Sequence, residues 1–424
     1  MKENKIRSIK ALEILDSRGN PTIEVELTTN LGVSRASVPS GASKGEYEAV
    51  ELRDKDGGVK KAVENVNKII GPVLKKENTL DQKNVDKILI QLDGTKNKSK
   101  LGANAVLGVS MAVCRAGAKE IKLPLWRYIN RLSPTICKVP KPCFNIINGG
   151  KHAASGLGIQ EFMVIPQAKN FQENFQIGKE VFTTLKKILE KRIGKSSLLN
   201  SAGDGITGSE ATSLKIGDEG GFTPPISKTQ EALDLLIGAI KEAGCQKTTK
   251  IGLDCAASHY WKKGKYRLDQ RVFRQEDLID FYRFFIEEYP ISFLEDPFAE
   301  EDLRGFKKIT QKLGEKVIIV GDDLTVTNTG RIKLAKQQRL CNGIIIKPNQ
   351  IGTITETLTA AKLAKSCGWK IVVSHRSGET KDDFIADLAV GVGADFIKAG
   401  APGPKERMVK YNRLLEIEKE MKNF

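Results

Sequence analysis

The chain has little of what would mark a secreted, membrane-spanning or zinc-built protein. Its seven cysteines, at 114, 137, 143, 245, 255, 341 and 367, are odd in number and form no CxxC pair. These features argue against a disulfide framework and a cysteine metal cluster, and buried, reduced thiols in a reducing compartment are expected. No apolar run reaches the ~18 residues of a membrane span. The N-terminal stretch MKENKIRSIKALEILD lacks an apolar core, so no secretory leader is expected. Zinc-finger spacing, an RNA-binding aromatic motif and a dense basic tail are all missing. Histidine is scarce, with three in 424 residues. A lone histidine is more often structural than functional, so each must be weighed singly.

What is present is a long, ordinary, strongly basic chain. Its 424 residues suit roughly two to three domains. Hydrophobic residues at 40% and charged residues at 28% fit a cytoplasmic globular protein. The net charge of +16 raises the question of nucleic acid. Yet the lysines are spread along amphipathic stretches such as KKAVENVNKIIGPVLKK and TTLKKILEKR, where they read as solvated helix faces. Nucleic acid is therefore expected only as a weak electrostatic associate.

Residues 1–30 alternate in the manner of strands, with SRGNP as the turn between two of them. A third strand, GVSRASVP, runs into the loop SGASKGEYEAVEL. Helical patterns follow from Gly58 to Ile121. Residues 129–143 hold three prolines and read as a linker. This predicts an N-terminal α+β domain over 1–135 and a second domain over 136–424. In the second, short apolar runs alternate with amphipathic segments long enough for one helix and two loops: KIGLD, ISFLED, VIIVGDD, GIIIK, KIVVSH and DFIK. Such β/α units predict a parallel barrel, with strands from 142–222 completing it.

Each run ends on a charged or polar residue: Asp254, Glu295, Asp322, Lys347, His375 and Lys398. In a barrel those ends share one mouth. A structural core has no use for carboxylates there, because burying an isolated charge is costly. Three carboxylates make an all-oxygen cation site that favours magnesium over zinc. Lys347 or Lys398, beside cations and away from water, could act as a base toward a proton alpha to a carboxylate; alternatively both only balance the metal carboxylates. Arg376 and Ser377 beside His375 suit a phosphate dianion. GDEGGF places Asp218 and Glu219 on a glycine loop, and QEF adds Gln160 and Glu161, so that a carboxylic acid is at hand. SGASKG, with Ser43, suits a mobile lid. His152 lies in the glycine-rich NGGKHAASGLGIQEF, and His259 follows LDCAAS.

Together these segments resemble the enolases, over nearly the whole chain. The matching signatures are VPSGASKGEYEA, NIINGGKHA, QEFMVIP, GDEGGF, FLEDPFAEED, GDDLTVTN, IIIKPNQIGT, SHRSGET and IKAGAPGPKERMVKYNRLLEIE. The resemblance implies an atypical (β/α)8 barrel with a smaller α+β N-terminal domain, and reversible dehydration of 2-phosphoglycerate to phosphoenolpyruvate. It implies that Asp254, Glu295 and Asp322 hold one magnesium ion and that Ser43 completes a second magnesium site when substrate binds. Lys347 would be the base at C2, and Glu219 with Glu161 would assist loss of the C3 hydroxyl. Lys398 would neutralise the substrate carboxylate, and Arg376 and Ser377 would contact its phosphate. His375, His152 and Gln160 would line the pocket, His152 on a mobile loop. A homodimer or an octamer in the cytoplasm is the family expectation.

The chain departs from the usual pattern at three places. His259 stands where a glutamate is usual, Lys381 where an acidic residue is usual, and Phe306 near a common tryptophan. The first two could change subunit contacts or the electrostatics of the barrel mouth, and none removes a catalytic group. A racemase or cycloisomerase of the same superfamily is the alternative enzyme, against which SHRSGET and GDEGGF argue. A non-enzymatic adhesive or polyanion-binding role is the alternative class. The chain ends in MKNF, without the terminal lysine of some plasminogen-binding relatives.

Overall fold

The computed structural model describes residues 4–41, 45–150, 156–200 and 214–422. By density of contacts the chain forms two compact units. One comprises Met1–Pro140, Ile318–Ala399 and Lys405–Phe424; the other comprises Lys141–Val317 and Gly400–Pro404.

The first unit begins with an antiparallel sheet of β1 (Ser8–Leu15), β2 (Pro21–Thr29) and β3 (Gly32–Ser37). The SRGNP turn forms where expected. Asp16 Oδ1 accepts from the N–H groups of Arg18 (2.9 Å) and Asn20 (2.8 Å), the side-chain mimicry of a turn that aspartate makes readily. The helix Ala103–Glu120 is buried on almost every face, because its sequence is almost wholly apolar or small. It covers the sheet closely: a Cβ on Gly108 would lie 2.7 Å from Val25 Cγ2, so only glycine fits there.

Two polar devices lock this unit. The buried carboxylate of Asp86, pushed up by burial, accepts from Ser110 Oγ (2.6 Å), Thr355 Oγ1 (2.6 Å) and Gln82 Nε2 (3.1 Å), tying three helices together. Arg115 forks onto Asp382, with 2.6 Å and 2.9 Å contacts, and onto Asp383 at 2.7 Å. The same unit contributes four parallel strands, β11 (Ile318–Gly321), β12 (Gly343–Ile346), β13 (Lys370–Ser374) and β14 (Phe396–Lys398). Their near-continuous apolar sequences match strands covered on both faces.

The second unit contributes β4 (Lys141–Asn148), β5 (Glu161–Pro166), β6 (Thr249–Asp254) and β10 (Ile291–Glu295). The eight strands form one closed barrel in the order β10-β11-β12-β13-β14-β4-β5-β6. The expectation of a wholly parallel barrel is corrected here: β5 runs antiparallel to both β4 and β6. Apolar periodicity is the same read in either direction, and the glycine-rich 149–160 has no helical pattern to make a crossover. The proline-bearing linker is also shorter than 129–143, since a helix runs to Leu132 and β4 starts at Lys141.

A small sheet of β7 (Trp261–Lys262), β8 (Lys265–Leu268) and β9 (Arg271–Phe273) follows β6 and was not foreseen. Its tight turns put Lys263 and Gly264 at φ of 51° and 73°, and Asp269 and Gln270 at 50° and 61°. Lys-Gly between alternating residues was the available signal. All seven cysteines are free thiols, as expected. Among the described residues no helix is long and apolar enough to cross a membrane.

The Arg115–Asp382 pair yields a test. Burial would raise the Asp382 carboxyl, but Arg115 and the Ser37 N–H outweigh it and hold it below the usual range. A depressed folded-state pKa stabilises the fold above the unfolded value of ~4, and that contribution is lost as pH falls through the folded value. Asp382→Asn, which leaves the half-buried Arg115 with Asp383 as its remaining carboxylate partner, should cost about 1–2 kcal/mol at neutral pH. Thermal unfolding should show the gap from wild type narrowing below about pH 4.

Candidate active site

Hydrogen bonding along the strands of the second unit sets four polar residues level with one another. Asn148 pairs with Glu161, Glu161 with Asp254, and Asp254 with Glu295. Reversal of β5 is what makes this possible, for its first residue lies beside the last residues of its neighbours. All four side chains are buried, Asn148 and Glu295 completely. Gln160 joins them: its backbone N–H donates to the Asp254 carbonyl (3.0 Å), and its side-chain amide reaches Asp254 Oδ2 (3.3 Å). Asp254 Oδ1 also accepts from the Ala256 N–H at 3.1 Å.

The GDEGGF loop is stitched to the same region. Phe222 N–H donates to the Ile146 carbonyl (2.9 Å), and Asn148 N–H donates to the Phe222 carbonyl (2.8 Å). A Cβ on Gly217 or Gly221 would come within 2.8 Å or 2.5 Å of the Asn148 side chain, so both glycines are needed for this close approach. The loop separates its two acids. Glu219 is buried and accepts from Asn145 Nδ2 at 2.9 Å, whereas Asp218 faces out. Asn145 and Asn148 are thus site residues that the sequence reading missed. The two asparagines of NIIN, in the second half of β4, were the signal.

In the first unit, Asp322 and Lys347 follow β11 and β12 directly, His375 follows β13, and Lys398 ends β14. Lys347 Nζ is ion-paired with Asp322 Oδ2. Gln350 Nε2 donates to Asp322 Oδ1 (3.0 Å), and Thr327 Oγ1 donates to Gln350 Oε1 (2.9 Å). Burial raises the Asp322 carboxyl, but Lys347, Lys398 and Arg376 together hold it below the ordinary range. In this geometry Lys347 balances Asp322, the alternative role considered for it.

Arg376 is 6% exposed and forks onto Glu48, at 2.9 Å and 3.3 Å, with Asn349 Oδ1 at 3.0 Å. Burial opposes its charge, but Glu48 more than compensates and raises its pKa. Glu48 and Gln350 were not foreseen, because nothing local distinguishes Glu48 from other loop residues or Gln350 from its neighbours in the short helix Pro348–Ile351. Ser377 is buried next to Arg376. Paired backbone hydrogen bonds between Ser40 and Gly378, 2.8 Å and 2.9 Å, dock the start of the SGASKG loop on this segment. A Cβ on Gly378 would fall 2.2 Å from Asp16 Oδ2. Ser43 and His152 lie outside the described residues.

The carboxylate and amide oxygens of the second unit suit a hard divalent cation, and the two lysines and the arginine of the first unit suit a polar anion. Among the described residues, both amide atoms of Asn148, Oε1 of Gln160 and Oδ1 of Asn145 are buried without a hydrogen-bond partner. Each such atom costs about 1–3 kcal/mol, so a polar ligand that satisfies them fits the chemistry of the site. His259 is half-buried in a single helical turn after β6, Lys381 is exposed, and Phe306 is fully buried against Phe298.

Comparison with known proteins agrees with this chemistry. Residues 136–424 match the family model described as enolase, C-terminal TIM barrel domain. Residues 6–129 match the model described as enolase, N-terminal domain. Enolase B of Dictyostelium discoideum is 49% identical over 439 aligned residues, covering 99% of this chain and 96% of that protein. The enolase family implies a divalent metal cofactor. The chain therefore belongs to the enolase family, and it is a lyase of the phosphopyruvate hydratase type.

Proposed function

We propose that Lys347 removes the C2 proton of 2-phosphoglycerate and that Glu219, with Glu161 beside it in role, protonates the departing C3 hydroxyl to leave phosphoenolpyruvate and water. The reading takes the polar groups of both units to serve one substrate. It is supported above all by the strand register that levels Glu161, Asp254 and Glu295, an arrangement of buried carboxylates with no use in a core. Asp254, Glu295 and Asp322 would hold a first magnesium ion and Ser43 a second. Bound magnesium would neutralise the substrate carboxylate and so make the C2 proton acidic enough to remove.

Each protein group then has a defined task. Lys398, almost fully buried, adds fixed positive charge for the carboxylate. Arg376, oriented by Glu48 and Asn349, and Ser377 present donors to the phosphate. Gln160, His152 and His375 complete the pocket. Lys347 must give up its pairing with Asp322 to act as a base, which the charge of a cation at Asp322 would favour. Asn145 orients the Glu219 carboxyl toward its proton-transfer task.

Three further readings belong to the proposal. The boundary between an N-terminal α+β domain and the barrel is put at 135/136, a reading supported by the start of the second family match at 136. The chain works in the cytoplasm, as a homodimer or an octamer, which light scattering separates. Its basic surface contacts nucleic acid only weakly, so such binding should fall steeply with salt and survive active-site substitutions.

Phosphoenolpyruvate formation, followed by ultraviolet absorbance, tests the activity itself; no product with magnesium present would sink the reading. Lys347→Ala should slow turnover by about 10²–10⁴-fold and abolish exchange of the C2 proton with solvent. Glu219→Gln should keep that exchange while blocking dehydration, and exchange persisting in Lys347→Ala would overturn the assignment of the base. Chelation should abolish turnover, and added magnesium should restore it; activity indifferent to a chelator would exclude the metal role.

A further inference from the structure

We propose that Arg407, on the C-terminal helix, is a positioning residue that fixes His375 as the tautomer with its proton on Nε2. His375 then serves as a hydrogen-bond donor and never as a base. The inference rests on the proposed function, which puts His375 against the substrate.

Arg407 lies in the first turn of the helix Lys405–Lys422 and is completely buried. One nitrogen, NH1, approaches His375 Nδ1 at 2.5 Å and donates to the Arg376 carbonyl at 2.6 Å. The other, NH2, donates to the Ser377 carbonyl at 2.6 Å. A single guanidinium thus bridges three consecutive residues of the segment read as the phosphate and pocket loop. Lys410, one turn on and 1% exposed, repeats the pattern farther along that loop. Its ammonium donates to Glu379 Oε2 (2.6 Å), the Thr380 carbonyl (2.5 Å) and the Glu406 carbonyl (2.7 Å). The loop backbone is held from behind by two buried cations of one helix face.

The tautomer follows from donor chemistry. A guanidinium has only N–H donors and no acceptor. The His375 nitrogen facing it must therefore offer a lone pair, so a neutral ring carries its proton on Nε2. An imidazolium would set N–H against N–H at the same short distance. The backbone adds a second restraint, since the His375 N–H donates to the Lys398 carbonyl at 2.8 Å and fixes the root of the side chain. A ring held this way can donate through Nε2 to a substrate oxygen but has no lone pair there to accept a proton.

Packing alone does not call for an arginine here. Burying a guanidinium costs more than burying an apolar side chain of similar volume, so its presence points to a directional task. Lysine could not repeat it, having no planar fork to span three acceptors.

The chain's three histidines make the test direct. The full-length protein, labelled with ¹⁵N only at histidine, gives at most three imidazole patterns in long-range ¹H–¹⁵N spectra, and the one absent from His375→Asn belongs to His375. The expected pattern is an unprotonated Nδ1 and a protonated Nε2. A protonated Nδ1 in the wild-type protein overturns the proposal without recourse to any Arg407 variant. In Arg407→Met the His375 pattern should shift toward the other tautomer or a mixture, and kcat/KM for 2-phosphoglycerate should fall at least about tenfold, with Arg407→Lys intermediate. A fall in kcat/KM with the tautomer unchanged in both variants would reduce Arg407 to a structural anchor and overturn the proposal, as would a changed tautomer with undiminished kcat/KM. If Arg407→Met does not fold, Arg407→Lys and the wild-type spectrum decide. A wild-type enzyme that made no phosphoenolpyruvate would fail the functional reading but leave the tautomer measurement intact, so the two failures are distinguishable.

Discussion

Backbone hydrogen bonding across β4, β5, β6 and β10 is the constraint on which the rest depends. It sets Asn148, Glu161, Asp254 and Glu295 at one level, and no side-chain interaction is needed to do so. A slip of one residue in any of these strands would turn its polar group to the opposite face. The reversed β5 is part of the same constraint, because a parallel β5 would put Glu161 at the far end of the barrel. Precision at these four positions therefore comes from ladder geometry, which is rigid, rather than from loops.

The second theme is the handling of buried charge. Isolated ions inside a protein are costly, and four of the cations described here have a carboxylate partner that also orients them. Arg376 is held by Glu48, Lys347 by Asp322, Lys410 by Glu379 and Arg115 by Asp382. Two of these pairs secure the framework of the first unit. The other two involve groups assigned to the substrate, where a pairing that can be exchanged for a ligand is useful. Glu48 and Gln350 matter in this light: they hold Arg376 and Asp322 through their oxygens and amide while contributing no chemistry of their own.

Glycine has a narrow structural role in the same places. Gly217 and Gly221 admit the Asn148 side chain, and Gly378 admits Asp16 and Ser40. Each lets a neighbouring side chain approach the backbone more closely than a Cβ would allow. The glycines of GDEGGF and the single glycine of SHRSGET thus reflect close packing.

Much was legible in the sequence because it depends on neighbours along the chain. The alternation of apolar runs with amphipathic helices, the turn at SRGNP and the polar residue closing each strand are local patterns, and the fold honours them. The enolase signatures are contiguous segments too, so the family and its chemistry could be read without coordinates. Other features depend on residues far apart in sequence, and only the tertiary structure decided them. Strand direction leaves no trace in periodicity, so the reversal of β5 and the levelling of Glu161 with Asp254 were hidden. Which acid of the Asp218–Glu219 pair turns inward depends on Asn145, more than 70 residues away. That Arg407 faces His375, at a separation of 32 residues, depends on where the last helix docks. Local sequence determined which chemical groups were available at the strand ends; long-range packing determined their partners, and through those partners what each group can do.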